Sequence, residues 1–149
     1  MSARTRLTPL FLPLMAASVA LAVPLMHRTQ TIINVPEPGT DVALSGLRYK
    51  ANAFEAKVTS TRLELKSDAG ADPIVAEWTF LCSNNDGQMH RVEIFVRLQD
   101  ESGKQLAMFS QKCMVTAAAH DQAHKVQMKV EAADWKATKA VRIVTDWLS

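Results

Sequence analysis

Two apolar runs in the middle of the chain alternate at period two, and that period excludes most folds. Ile74, Ala76, Trp78, Phe80 and Cys82 fall on one side of an extended segment, with Glu77 and Thr79 on the other. Val92, Ile94, Val96 and Leu98 alternate in the same way with Arg91, Glu93 and Arg97. Successive side chains of a strand point to opposite faces, so this spacing predicts half-buried strands rather than helices. Phe95 stands on the polar side of the second run, which marks a second packing surface or a partner.

Turn chemistry punctuates the rest. Pro36-Glu37-Pro38-Gly39, Asp68–Pro73, Ser83–Gly87 and Asp100-Glu101-Ser102-Gly103 are rich in the residues that break regular elements. Between and beyond them lie further β-prone segments: Thr31–Val35, Phe54–Lys66, Gln105–Thr116, Val126–Val130 and Ala140–Leu148. Ala117–Ala123 reads as a loop, and a short helical turn is expected near Ala132–Trp135. Strands at this spacing predict an all-β chain folded as an antiparallel β-sandwich.

The N-terminal segment has a different character. Arg4 and Arg6 precede an uncharged run from Leu7 to Met26, with small residues at Ala20-Leu21-Ala22. A basic start, an apolar stretch and an A-x-A-like site form the pattern of a secretory signal. An export helix over residues 1–22 is therefore expected, followed by a linker and leading strand (23–39) and the sandwich (40–149). Pro9, Pro13 and Pro24 interrupt a regular spanning helix and favour cleavage after Ala22 over retention as an anchor. The run is nevertheless about long enough for a ~30 Å hydrocarbon core. On either reading the remainder is exported, in a periplasmic or secreted setting. The chain has 17 Lys+Arg against 15 Asp+Glu, and two of those cations are Arg4 and Arg6. The exported part is thus formally neutral, with no basic field for nucleic acid, and a membrane is a partner only if the N-terminal segment stays attached.

Cys82 and Cys113 are the only cysteines. An even count in an exported domain suggests a disulfide, against the alternative of two buried free thiols. If the Ile74–Cys82 and Val92–Leu98 strands were neighbours, Phe80 would pair with Val92 and Cys82 with His90. The Asp100–Gly103 turn would pair Phe109 with Ile94 and Cys113 with His90. The cysteines would then flank His90 two strand spacings apart, ~9–10 Å. A bridge needs Cα atoms within about 7 Å. That flat arrangement would instead place two thiolates around an imidazole, with Met89 and Met114 nearby, as a soft site for Cu(I) or Zn.

Phe80-Leu81-Cys82-Ser83-Asn84, then Val96-Arg97-Leu98-Gln99-Asp100 with Gly103-Lys104, resembles the pattern of FxLyD-type extracytoplasmic domains, small immunoglobulin-like sandwiches of exported proteins. Val96 stands where Phe is usual and Gln99 where Tyr is usual. The resemblance covers Val75–Trp147 and implies an immunoglobulin-like or fibronectin-III-like sandwich with an adhesion, assembly or binding role and no catalytic residues. It also implies that the Ile74–Cys82 strand lies in the opposite sheet, so that the cysteines meet at one end and a Cys82–Cys113 bridge is expected.

Other candidates have plainer readings. His120 and His124 share an i, i+4 spacing but fall in the expected loop, without the Glu of a zinc-protease motif. Trp135 and Trp147 are better suited to packing than to stacking on sugars. No nucleophile elbow accompanies any Ser, His and Asp. The expectation is an exported, non-enzymatic binding or assembly module of the bacterial envelope, with no cofactor and an unidentified protein partner meeting it around Phe95. The alternatives are a periplasmic Cu/Zn-handling protein using Cys82, Cys113, His90, Met89 and Met114, and a signal-anchored accessory subunit.

Overall fold

The structure, a computed structural model, describes residues 26–51 and 53–148. The expected export helix lies outside them, and among the described residues no helix is long and apolar enough to cross a membrane. Among the described residues there are nine strands and one short helix, in chain order β1 (Met26–Asn34), β2 (Asp41–Ala43), β3 (Arg48–Ala51), β4 (Phe54–Leu65), β5 (Ile74–Asn84), β6 (His90–Gln99), β7 (Gln105–Val115), β8 (Gln122–Val130), α1 (Ala132–Ala137) and β9 (Ala140–Leu148).

These strands form two antiparallel sheets. One has the order β1-β9-β6-β7; the other runs β2-β4-β5-β8, with β3 also paired to β4. The expectation of an antiparallel all-β sandwich holds. The two best-patterned runs, β5 and β6, lie in different sheets, because the chain crosses over after Asn84 instead of turning back on itself.

Period-two alternation converts directly into the core. Ala76, Trp78, Phe80 and Cys82 of β5 meet Val92, Ile94, Val96 and Leu98 of β6, all buried together with Leu63, Val126, Ile143 and Trp147. Each large apolar side chain buried in this way contributes about 1.5–3 kcal/mol. The Trp78 indole N–H also needs an acceptor inside that core, and it donates to Met128 Sδ at 3.2 Å. β9 is one of the two central strands of its sheet. It lies between β1 and β6, and Val144 and Asp146 are buried even on its outward side.

The β6–β7 hairpin departs from the expected register by two residues. Cys113 stands opposite Val92 and Phe109 opposite Val96, not opposite His90 and Ile94. The Gly103 N–H does donate to the Asp100 carbonyl at 3.0 Å, but the strands begin to pair one residue later, where the Asp100 N–H donates to the Lys104 carbonyl. An irregularity between Leu98 and Gln99 adds another residue. A shift of two leaves every side chain on its expected face, so the alternation alone does not reveal it.

Candidate functional site

The outer face of the β1-β9-β6-β7 sheet presents its side chains in cross-strand rows. The central row is Gln30, Val144, Phe95 and Ser110. Phe95 therefore points away from the core, as its place on the polar side of β6 requires, and is half-buried by its neighbours. On one side of it lies a charged row of Arg28, Asp146, Glu93 and Lys112. Arg28 Nε and Nη2 donate to Asp146 Oδ1 and Oδ2 at 2.7 and 2.8 Å, a bidentate pair that holds the Arg28 pKa above its usual value. Ser110 Oγ donates to Glu93 Oε1 at 3.2 Å.

On the other side of Phe95 the row reads Ile32, Arg142, Arg97 and Met108. Two arginines stand directly opposite each other, an arrangement that like charges disfavour. Among the described residues neither pairs with a carboxylate. Arg142 Nη1 donates to Gln30 Oε1 at 3.1 Å. The Arg97 guanidinium lies 5.8 Å from the centre of the Phe95 ring, and its Nε is buried without a hydrogen-bond partner. The result is an aromatic ring beside two uncompensated cations, flanked by the exposed apolar chains of Ile32 and Met108. The sequence shows that Arg97 and Arg142 both face outward. Only the pairing of β6 with β9 reveals that they are neighbours.

The cysteine and histidine candidates lie elsewhere. Cys82 and Cys113 are both buried on the inner faces of opposite sheets, and both are free thiols: the expected bridge is not formed. Burial, reinforced by the nearby Cys113, pushes the Cys82 thiol up to about 12. Burial pushes Cys113 up to about 11. Such thiols stay protonated at neutral pH and are poor nucleophiles and poor metal ligands. His90 is already engaged, its Nε2 2.9 Å from Asp86 Oδ2 and its ring 5.5 Å from that of Tyr49. Met89 is exposed ahead of β6, and Met114 is exposed on the outer face of β7. Among the described residues no three His, Cys, Asp or Glu side chains come together as a metal site.

His120 lies on an exposed loop, but His124 belongs to β8, not to the expected loop. Its side chain is half-buried, its Nε2 lacks a hydrogen-bond partner, and burial lowers its pKa. Trp147 is fully buried in the core and offers no face for stacking, while Trp135 of α1 is half-buried against that core. Sequence reasoning missed Glu77, which faces outward on β5 yet is buried beneath two lysines. Lys125 Nζ lies 3.1 Å and Lys66 Nζ 3.8 Å from Glu77 Oε1. These pairs, led by the Lys125 hydrogen bond, hold the carboxyl below its usual range. Lys125 comes from β8 and Lys66 from the residue just past β4, on either side of β5 in space, so no local signal announces them.

Compared with known proteins, the chain matches no family model, and no curated protein is similar to it in sequence.

Proposed function

We propose that this chain is an exported, non-enzymatic sandwich of the immunoglobulin-like kind that serves as a binding or assembly module of the bacterial envelope. Its contact surface is the outer face centred on Phe95. The layout of the longer strands supports the fold reading: β4, β5 and β8 face β7, β6, β9 and β1, and the chain crosses between the sheets after β1, β5, β7 and β8. The partial FxLyD-type resemblance of β5 and β6 and the export pattern of residues 1–22 point the same way.

The observation that carries the contact surface is the Phe95–Arg97–Arg142 cluster. An outward-facing, half-buried aromatic with arginines is the composition of interface anchors. Two opposed arginines are costly in the isolated chain and become favourable once a partner supplies a carboxylate between them. The partner's contacting surface is therefore acidic, with an apolar element over Phe95.

A photo-crosslinking phenylalanine analogue at position 95, introduced in the native envelope, tests this reading. The expected result is one discrete adduct, identified by mass, that disappears when Arg97→Glu and Arg142→Glu are combined. Phe95→Ser should leave the unfolding transition close to that of the parent. An adduct indifferent to the charge reversal, or a Phe95→Ser chain that fails to fold, would remove the surface from consideration.

A further inference from the structure

Six large apolar side chains are strongly exposed among the described residues: Met26, Ile32, Phe54, Met89, Met108 and Met114. Four of them gather at one end of the sandwich. Met26 begins β1, and its row continues through Leu148 and Arg91 to Met114. Met89 precedes β6 at the same end. Phe54 begins β4, two residues before Ala56, which pairs with Asn84 at the end of β5. The two sheets are tied together there. The Tyr49 ring of β3 lies 5.8 Å from that of His27 in β1 and 5.5 Å from that of His90 in β6. Asn84 Nδ2 donates to the carbonyls of Gln88 and Thr116 at 2.7 and 3.2 Å.

These side chains are spread around a rim: the start of β1, the β3–β4 hairpin, the β5–β6 loop and the end of β7. A rim of separate apolar projections suits a flat, deformable surface better than it suits a groove for a peptide. The direction of the chain identifies that surface. Met26 is the last residue of the uncharged run from Leu7, which is about as long as a ~30 Å hydrocarbon core requires. The chain thus enters the sandwich at the end that carries the exposed methionines and Phe54. Arg91, exposed between Leu148 and Met114 in the first row, is placed to lay its aliphatic stem along them and direct its charge to lipid phosphate.

We propose that this end of the sandwich rests on the outer surface of the membrane that the chain's own N-terminal run enters, with Met26, Phe54, Met89 and Met114 in the lipid interface. The proposal rests on the export reading and takes up its alternative form, in which residues 1–22 are kept as an anchor instead of being cleaved after Ala22; it does not depend on the Phe95 surface. It sets the strands across the membrane plane and lifts Phe95, Arg97 and Arg142 away from the lipid.

The test uses the full chain, isolated from the membrane fraction and reconstituted in vesicles of phosphatidylethanolamine and phosphatidylglycerol doped with a headgroup-nitroxide lipid. Met89→Cys and, separately, Met108→Cys are labelled with a fluorophore at neutral pH, where the buried native thiols are protonated and shielded. Met108 stands opposite Arg97, so the two positions lie toward opposite ends of the same sheet, about 25 Å apart along the strands. The expected result is several-fold stronger nitroxide quenching at position 89 than at 108. It should be diminished by Phe54→Asp combined with Met114→Asp, which change only exposed side chains. Equal quenching at both positions would overturn the proposal. So would a chain recovered from cells beginning at Val23 that remains in solution when vesicles are added. The photo-crosslinking experiment at position 95 is read separately, so either idea can fail alone.

Discussion

His124 shows how one side chain can hold a property that its sequence context conceals. Its Nε2 is buried without a partner, and burial lowers its pKa. A base whose folded pKa lies below its unfolded value binds protons more readily when the chain is unfolded. Folding stability is then complete above the ordinary imidazole value of ~6.5 and falls as pH drops from there toward the lowered value. Urea unfolding of the parent at about pH 8 and about pH 5 should therefore show a loss of stability that His124→Gln reduces. Equal losses in the two chains would mean that His124 does not titrate on unfolding. Glu77 has the opposite legibility: its charge is plain in the sequence, but its burial under Lys66 and Lys125 depends on three strands meeting. Its lowered pKa places its contribution above the ordinary carboxylate range, to be lost in acid as pH falls through the lowered value.

At the scale of elements, the β6–β7 hairpin is the clearest case. Asp100 organises the turn: its Oδ1 accepts from the Ser102 N–H at 2.9 Å, the Ser102 hydroxyl at 2.7 Å and the Lys104 N–H at 3.0 Å. Gly103 takes a φ of 85°, a left-handed conformation that an L side chain adopts only at a cost. Nothing lies within 4 Å of where its Cβ would stand, so the cost of a substitution is backbone strain alone. Gly103→Ala should lower stability by about 1–2 kcal/mol in chemical denaturation without changing the fold. Gly70→Ala, at a position with equal space and no positive φ, should be close to neutral. Equal effects at the two glycines would mean that the turn is not held in this conformation. The Asp-Glu-Ser-Gly stretch identified this turn from sequence, but not its length. One more residue in the turn and one at the irregularity moved Cys113 from His90 to Val92.

In the molecule as a whole, the first strand closes the sheet of the last. β1 pairs with β9 from Met26 opposite Leu148 to Asn34 opposite Ala140. It buries little apolar surface of its own. Its attachment rests on the ladder, the Arg28–Asp146 pair, the Thr29–Thr145 hydroxyl contact at 2.6 Å and the partly buried Ile33. Without it, β9 would present an open edge and leave Asp146 without its guanidinium partner, both strongly unfavourable. A chain lacking residues 26–34 should therefore aggregate on refolding, and an added peptide of the Met26–Asn34 sequence should restore a monomeric species by size-exclusion chromatography. A soluble monomer without the peptide would show that β1 is dispensable to the sandwich.

Local features were legible in the order of residues: the alternation of β5 and β6, the Pro and Gly interruptions, the span of β9 and the outward position of Phe95. Each rests on interactions within a few residues, so a strand's period and a turn's composition carry the information directly. Partnership was not legible. The alternation left the sheet of β5 open, and only the family resemblance put it opposite β6; the opposition of Arg97 and Arg142, the burial of Glu77 and the gathering of Met26, Phe54, Met89 and Met114 at one end join residues far apart in the chain. A period-two pattern fixes which way a side chain points and is indifferent to which strand lies beside it. That choice was made by the tertiary structure, where crossing connections and one irregular hairpin decide which outward-facing residues become neighbours.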